Sequence, residues 1–262
     1  MNSILRNVSW RCLRVWQRNA SVYLKTWQVN FMTPLLEPLL FLFAFGFGLG
    51  QLLKTVSYNG VEIKYLTFIA PGILSTVIMN YAFFETTYAS FVRMYYQKTY
   101  DAILATPLLV EDVITGEILW GATKAMIASL LMVIIVSFFG LLQYPSALWI
   151  IPVSFISGLL FASIGMVFTG LVRMIEQFNF PFFLFITPMF LFSGVFFPLT
   201  ALPTWTQKLA LLLPLTHLVI VIRQLAMNRL DSFFFVSLGV LLALTAASFI
   251  LALVIMKKRL VK

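Results

Sequence analysis

Six long apolar stretches dominate this chain and restrict what it can fold into. A helix needs about 20 apolar residues to cross a bilayer core about 30 Å thick. Only 10% of the residues are charged and 61% are hydrophobic, whereas about a quarter of residues are charged in soluble domains. An ordinary soluble fold and a disordered chain are therefore excluded, and we predict an all-α polytopic membrane protein. The predicted spans are residues 31–50, 66–91, 118–142, 149–172, 180–197 and 233–256.

The distribution of basic residues predicts how these spans are oriented. Six spans place both termini on one side, and basic residues accumulate on the cytoplasmic side of a membrane. With the termini inside, 13 of the 18 Lys and Arg residues fall in cytoplasmic segments. We therefore expect cytoplasmic N- and C-termini and attribute the net charge of +9 to topology, with no nucleic-acid partner. The prediction is one domain, 1–262, with an interfacial helix in 1–28, a six-span bundle in 31–256 and a cytoplasmic tail in 257–262.

The first 25 residues predict an amphipathic helix at the inner membrane surface. At about 100° per residue, one face is apolar and the opposite face is polar and basic. The apolar face comprises Ile4, Val8, Cys12 and Val15, and the polar face comprises Asn7, Arg11, Arg14 and Arg18. The apolar run comes too late for a signal peptide. The alternatives are a topology signal without fixed structure and a mitochondrial presequence, which three tryptophans and the immediate span disfavour.

Two acidic residues fall inside predicted spans. Glu37 lies about 9 Å into its helix, in the inner half of the first span, and Glu85 lies in the inner half of the second. A charge at that depth is costly and usually faces a partner or a water-filled cavity. One interpretation is a substrate-access or coupling network that pairs with Arg93, Lys25 or Arg18. The other is a structural ion pair that holds the first two spans together.

The loop between the second and third spans carries the most informative polar sequence. Residues 94–105 are predicted to form a short helix that Pro107 ends, because the residue before a proline disfavours helical backbone. A new helix is predicted to start near Glu111 and Asp112, since acids suit a first turn. A short helix on the inner face is suited to docking on a partner, and an ordinary connecting helix has the same pattern.

Prolines interrupt the segment between the fifth and sixth spans. Pro198, Pro203 and Pro214 repeatedly stop helices, and residues 209–222 are too short to span alone. We predict re-entrant helices at the outer surface, because broken backbone at membrane depth must be buried in protein or line a cavity. A gate fits that description. His217 is either an interfacial hydrogen-bonding residue or a proton relay.

The chain lacks the motifs of common catalytic sites. It contains no G-x-x-x-x-G-K-[ST] loop and no G-x-S-x-G motif, and one Cys and one His cannot build a zinc site. We expect a transport subunit with no catalytic residue, metal or cofactor of its own. One alternative is a membrane-embedded lipid or acyl transferase that uses Glu37, Glu85 and His217, although the predicted topology separates His217 from both acids. Another is a non-conducting scaffold subunit.

Several motifs resemble the membrane (permease) subunit of type-2 ATP-binding-cassette exporters. The outer segment has Ser-Gly-x-x-Phe-Pro at 193–198, Leu-Pro-x-Trp at 202–205, Pro-Leu-Thr-His at 214–217 and then Arg223. The matching inner stretches are 99–108, 111–112 and 116–120, with Ala-Pro-Gly at 70–72 in the second span. Within the family, the chain is most similar to the nodulation-factor exporter branch.

The resemblance implies a homodimeric permease in a bacterial inner membrane, surrounded by membrane lipids. It would pair with two copies of a separate P-loop ATPase, which would bind ATP and Mg²⁺. The implied coupling helix, which sits in a groove of the ATPase, comprises Thr99, Tyr100, Asp101, Ala102, Ile103, Leu104 and Thr106. The implied outer gate comprises Ser193, Gly194, Phe197, Pro198, Pro203, Trp205, Pro214, His217 and Arg223. The predicted intramembrane charge network comprises Glu37, Glu85 and Arg93.

The implied substrate is amphipathic and moves outward. In the resembled branch it would be a lipo-oligosaccharide, and related permeases would take a glycolipid or a hydrophobic drug. Aromatic side chains that could stack on sugars or line an acyl groove include Phe41, Phe43, Phe45, Phe83, Phe84 and Tyr88. At this composition, Phe residues are also common as lipid-facing or packing residues.

Overall fold

A computed structural model describes residues 8–50, 53–58 and 60–261, apart from the side chains of Val29, Thr33, Leu35, Glu37, Pro38, Phe47 and Leu49. Ile4 and Asn7 of the predicted amphipathic helix, and the side chain of Glu37, therefore lie outside the described part of the chain. In chain order the helices are α1 (Cys12–Lys25), α2 (Trp27–Phe43), α3 (Tyr65–Phe84), α4 (Thr99–Leu104), α5 (Val110–Phe138), α6 (Ile150–Leu171), α7 (Asn179–Pro181), α8 (Thr187–Phe192), α9 (Thr204–Ala210), α10 (Pro214–Ala226) and α11 (Ser232–Leu260).

Short segments of tighter or wider helix extend several of these elements. The π-helical segments are Ala44–Leu49, Glu85–Ala89, Val92–Tyr96 and Phe182–Ile186, and the 3₁₀ segments are Ser146–Trp149, Ile175–Phe178 and Leu199–Ala201. The π-helical segments Glu85–Ala89 and Val92–Tyr96 continue α3, and we call them together the α3 extension.

Five helical stretches of the described residues are long and apolar enough to cross a membrane. They are Tyr65–Tyr96, Val110–Phe138, Ser146–Leu171, Ile175–Phe192 and Ser232–Leu260, and they correspond to the last five predicted spans. The first predicted span falls on α2 and its π-helical continuation. Helices α9 and α10 are bent by 88° and are either one broken span or a re-entrant pair. The prediction of an α-helical polytopic membrane protein is confirmed.

The centre of the bundle is built from α3, α5 and α6, and α11 packs along α6. Helix α5 begins at Val110, which confirms the helix start predicted near Glu111 and Asp112 and precedes the third span predicted from residue 118. The reason is local: the Asp112 carboxylate accepts a hydrogen bond from the Leu109 backbone N–H at 3.3 Å, which caps the first turn. Glu117, which precedes the third span predicted from hydropathy, therefore lies on α5 with no exposed surface.

A β-hairpin between α2 and α3 was not predicted. Strand β1 (Thr55–Tyr58) pairs antiparallel with β2 (Val61–Lys64), with Tyr58 opposite Val61. The Asn-Gly sequence at 59–60 is a strong signal for such a two-residue hairpin loop. The strict all-α prediction overlooked it because the strands are only four residues long.

Helix α1 docks along α5 through its apolar face. Cys12 and Val15 are buried, whereas Arg11 and Arg14 are exposed, as the amphipathic pattern predicts. Gly116 of α5 permits the close approach, because a Cβ built there would lie 2.6 Å from the Cys12 carbonyl oxygen and from Val15 Cβ.

Substituting Gly116→Val is expected to push α1 away from α5. Cys12, the only cysteine, reports this displacement. Burial, and then the negative charge of Asp112, raises the pKa of its thiol, so maleimide should label folded protein slowly. Overpacking costs about 1–3 kcal/mol, so the variant should be labelled about 5- to 160-fold faster.

Gly239→Val is the matched control, because no atom lies within 4 Å of a Cβ built at Gly239. Its labelling rate should equal that of the parent protein. Equal rates in all three proteins would contradict the docking of α1.

Candidate functional site

A buried cluster of charges lies between the α3 extension and α5. Arg93 bonds to Glu85 at 2.8 Å and to Glu117 at 2.5 Å, and Lys124 bonds to Glu85 at 2.8 Å. Glu85 is 4% exposed and Glu117 is fully buried. We call these four residues the charge cluster. Two cations alternate with two carboxylates, so each charge has a partner that offsets its desolvation.

The structure brings together only part of the predicted charge network. Glu85 and Arg93 are paired, whereas the Glu37 side chain lies outside the described residues. The second cation on Glu85 is Lys124 of α5, so the described contacts link the second and third spans. Glu117 and Lys124 were not predicted as site residues. They are seven positions apart on one helix and so share a face, a signal that identifies them once α5 is known to begin at Val110.

Hydrogen bonds connect the charge cluster to α4. Ser90 Oγ donates to Glu117 Oε2 at 3.2 Å, and the Tyr100 hydroxyl lies 2.5 Å from Ser90 Oγ. Burial, and then the negative charge of Glu117, raises the pKa of Tyr100, so its phenol stays protonated at neutral pH. A continuous polar chain therefore runs from the coupling-helix candidate to the buried ion pairs.

The predicted coupling residues divide into exposed and buried sets. Asp101, Ala102 and Thr106 are exposed, Ile103 and Leu104 are half-buried, and Thr99 and Tyr100 are buried. The continuous helix predicted over 94–105 is wrong. Lys98 has a φ of +54°, a left-handed conformation that interrupts a helix, and α4 begins at the next residue. A partner could reach Asp101, Ala102 and Thr106 directly, while Tyr100 points into the protein.

A polar cleft opens beside the charge cluster. It has a volume of about 470 Å³, and residues of α1, α2, the α3 extension and α5 contribute to its wall. Asn19 of α1 donates to Glu117 Oε1 at 3.0 Å, and the Trp120 indole N–H donates to Glu85 Oε1 at 3.1 Å. Both bonds help to hold the carboxylates in place, and the first ties α1 to the cluster.

Arg223 connects three parts of the predicted outer gate. Its side chain is buried. It donates to the Gly194 carbonyl oxygen at 2.9 Å and to the Phe68 carbonyl oxygen at 3.2 Å. Gly194 has a φ of +75°, which suits glycine and turns the chain after Ser193, the residue that follows α8. Helix α10, the start of α3 and this turn are thus held at one point.

The remaining gate residues lie at different depths. Pro214 and His217 are buried, Phe197 and Pro198 are half-buried, and Pro203 and Trp205 are exposed. His217 Nε2 lies 2.9 Å from the Leu211 carbonyl oxygen, and Nδ1 lies 3.2 Å from Ser237 Oγ. Because both ring nitrogens have partners, the hydrogen-bonding interpretation of His217 is favoured over a proton relay.

A second cavity lies among α2, α3 and the α7–α8 region. Its volume is about 180 Å³, and its wall includes Phe41, Asn80, Phe182 and Phe190. Asn80 Oδ1 is buried without a hydrogen-bond partner among the described residues. Phe41 is the one aromatic residue suggested above for substrate contact that lines this cavity. Aromatic rings with one unused amide acceptor could hold a molecule that is apolar and carries hydroxyl groups.

Comparisons with known proteins agree with this architecture. The family profile described as ABC-2 type transporter matches residues 11–227. Nodulation protein J of Sinorhizobium fredii is 37% identical over 220 residues, which cover 84% of this chain and 82% of that protein. Nodulation protein J of Rhizobium meliloti is 34% identical over 251 residues, which cover 96% and 94%.

A more distant relative carries a transport name. The inner membrane transport permease YadH of Escherichia coli is 21% identical over 216 residues, which cover 82% of each chain. The family match spans most of the chain, and the helices are those of a multi-pass membrane protein. This chain therefore belongs to the ABC-2 type transporter family, in the branch that contains nodulation protein J, and is a bacterial permease subunit.

Proposed function

We propose that this chain is the permease of an ATP-driven exporter that moves an amphipathic molecule outward across the bacterial inner membrane. Two copies would pair with two copies of a separate P-loop ATPase that binds ATP and Mg²⁺. Six spans with cytoplasmic termini would place α4 at the inner face and α9–α10 as a re-entrant pair at the outer face. The observation that carries the proposal is the hydrogen-bonded chain from α4 to the charge cluster.

The proposed mechanism starts at the exposed side of α4. Closure of the ATPase pair on ATP would push on Asp101 and Ala102, which are exposed. Tyr100 lies on the same short helix and contacts Ser90, which bonds to Glu117. Movement of α4 would therefore be transmitted to the ends of the second and third spans. Because the cluster is buried, its ion pairs must rearrange together and not singly.

Release at the outer face would depend on the contacts of Arg223. Opening the re-entrant pair would require the guanidinium to leave the carbonyl oxygens of Gly194 and Phe68. Buried carbonyl oxygens without a donor are costly, so the closed arrangement is favoured at rest. Passage of the substrate and closure of the ATPase pair on ATP would together offset that cost.

The proposed substrate class is a lipo-oligosaccharide, with glycolipids and hydrophobic drugs as alternatives. The similarity to nodulation protein J supports the first of these. The cavity at Asn80, about 180 Å³, is smaller than the ~300–1,000 Å³ of typical small-molecule sites. It would therefore contact one sugar ring or one acyl segment at a time and not the whole molecule.

Replacing Asn80→Leu tests the cavity as a substrate contact. Leu has nearly the same shape as Asn and removes a buried acceptor that lacks a partner, so stability should be unchanged or higher by about 1 kcal/mol. Export of a fluorescent lipo-oligosaccharide should nevertheless fall about fivefold or more, since one hydrogen bond to the substrate is lost. Unchanged export with unchanged stability would remove Asn80 from the substrate pathway.

A transferase is the weaker alternative. The described residues include no group of three His, Cys, Asp or Glu side chains able to hold a metal ion. His217 lies in α10, whereas Glu85 lies at the end of α3 that leads to α4. A scaffold without transport activity would not need the hydrogen-bonded link from α4 to the charge cluster.

Co-purification separates these functions. A P-loop ATPase encoded beside this chain should purify with it, and adding the permease in nanodiscs should stimulate ATP hydrolysis. A stable permease that neither binds nor stimulates the ATPase would contradict the proposed function.

A further inference from the structure

The polar cleft beside the charge cluster carries more positive than negative charge. Its wall contains three cations and one acid together with aromatic rings. We call it the cationic cleft and define it by Arg18, Tyr23, Glu85, Arg93, Trp120 and Lys124. Its volume of about 470 Å³ lies within the ~300–1,000 Å³ typical of ligand sites.

The acid in this wall is covered by its own donors. Glu85 Oε1 accepts hydrogen bonds from Arg93 and Trp120, and Oε2 accepts one from Lys124. The carboxylate is only 4% exposed, whereas the Lys124 side chain is 23% exposed. An ammonium group has three donors, so Lys124 can bind an anion in the cleft while it stays paired with Glu85.

Arg18 adds a positive charge that has no acidic partner in the described part of the chain. Its guanidinium donates to Asn19 Oδ1 at 3.0 Å and to Thr99 Oγ1 at 3.4 Å, and both acceptors are neutral. The side chain is half-buried. Water and salt screen such a charge less than a fully exposed one, so it attracts an anion into the cleft.

The cleft has the composition of a lipid-headgroup site. In the proposed orientation, α1 lies at the inner surface and the α3 extension ends there. Tyr23 and Trp120 are ring systems with polar tips, which are typical of the headgroup region. These two rings are buried, and the exposed Val22 and half-buried Tyr88 of the same wall offer apolar surface to the glycerol and first methylenes of a lipid.

We propose that the cationic cleft binds the phosphate of an anionic lipid from the inner leaflet. Arg18 can contact phosphate through two N–H groups, and Lys124 acts as a point charge. Since Arg18 also contacts Thr99 of α4, the bound lipid would lie directly against the coupling-helix candidate. This proposal rests on the membrane orientation given under the proposed function, but it does not depend on export activity. Its test measures lipid binding alone, so the lipid site and the export function can fail separately.

Lipid titration tests the proposal directly. The full-length chain, stripped of lipid in detergent, is titrated with phosphatidylglycerol and separately with phosphatidylcholine, and bound lipid is counted by native mass spectrometry. One basic residue contributes about 1 kcal/mol to the binding of anionic lipid, so Arg18→Gln should weaken phosphatidylglycerol binding about fivefold. Arg18→Lys should bind nearly as well as the parent chain, and phosphatidylcholine binding should not change.

Arg14→Gln is the matched control on the same helix. Arg14 is exposed and donates to Gln17 Oε1 at 3.2 Å, outside the cleft. Its removal should have little effect, since an exposed charge contributes little without an anionic surface nearby. Equal losses of phosphatidylglycerol binding in Arg14→Gln and Arg18→Gln would show non-specific electrostatic attraction to the protein and would overturn the site. So would unchanged binding in Arg18→Gln with an unchanged melting temperature.

A final arm distinguishes the source of the phosphate. Millimolar glycerol phosphate is added to the complex with phosphatidylglycerol. The lipid should stay bound, because the soluble compound lacks the acyl chains that pack on the apolar part of the wall. Displacement at these concentrations would show that the cleft takes a soluble phosphate and would overturn the lipid assignment.

Discussion

Replacing Arg93→Met should destabilise the protein by about 3–5 kcal/mol, because breaking a buried ion pair leaves a buried charge without its partner. Arg93 is the only residue that bridges both carboxylates of the charge cluster in the described structure. Lys124 would still pair with Glu85, but Glu117 would be left charged and fully buried. Denaturant titration in detergent measures the loss. Arg173→Met, at an exposed position, is the control and should change stability by no more than about 0.5 kcal/mol.

A double variant separates structure from function in this cluster. Arg93→Met combined with Glu117→Gln leaves one intact pair, Glu85 with Lys124, and no unpaired buried charge. Most of the lost stability should return, since replacing both partners of a buried pair is often nearly neutral. Stimulation of the ATPase should not return, because Arg93 no longer links Glu117, which is hydrogen-bonded through Ser90 to α4, with Glu85. Recovery of both would mean that the cluster only holds the second and third spans together.

Replacing Asp101→Arg, which reverses the charge at this position, should abolish coupling to the ATPase without unfolding the permease. Asp101 is exposed on α4, and its pair with Lys98 spans 4.0 Å between two side chains that are each about two-thirds exposed. Such a pair contributes about 0–1 kcal/mol, so stability should hardly change. A long cation in the centre of an interface costs at least about 2 kcal/mol, which weakens ATPase binding about 30-fold or more. Pull-down and ATPase assays give the two readouts.

Glu62→Arg provides the matched control for this substitution. Glu62 is an exposed acid in β2, before the start of α3, whereas α4 follows the end of the α3 extension. Its reversal should leave ATPase binding unchanged. Normal stimulation by the Asp101→Arg permease would remove α4 from the docking surface.

Hydropathy predicted the large elements of this fold because the membrane constrains them directly. A span must be about 20 apolar residues long, and charges are rare enough that the boundaries are visible in the sequence. The same logic located Glu85 as an acid inside a span and named Arg93 among its possible partners. The amphipathic pattern also placed Cys12 and Val15 on the face that is buried.

Contacts between distant segments were beyond this kind of reasoning. Nothing in the local sequence shows that Tyr100 turns inward to Ser90 or that Asn19 reaches Glu117 across 98 positions. Lys98 has a left-handed backbone that separates α4 from the α3 extension. It is neither glycine nor proline and has neither beside it, so the sequence gives no signal of this break. Glu117 falls just outside the third span predicted from residue 118, because hydropathy is averaged over a window and a charged residue at a helix start is left outside the span.

Transport across a sealed membrane tests the central claim most directly. Inside-out inner-membrane vesicles containing this chain and its neighbouring P-loop ATPase would be given a fluorescent lipo-oligosaccharide and ATP. We predict ATP-dependent accumulation inside the vesicles that is lost when the P-loop lysine of the ATPase is replaced, and lost equally with the Asp101→Arg permease. Accumulation that continues without ATP hydrolysis, or with the Asp101→Arg chain, would contradict an ATP-driven exporter coupled through α4.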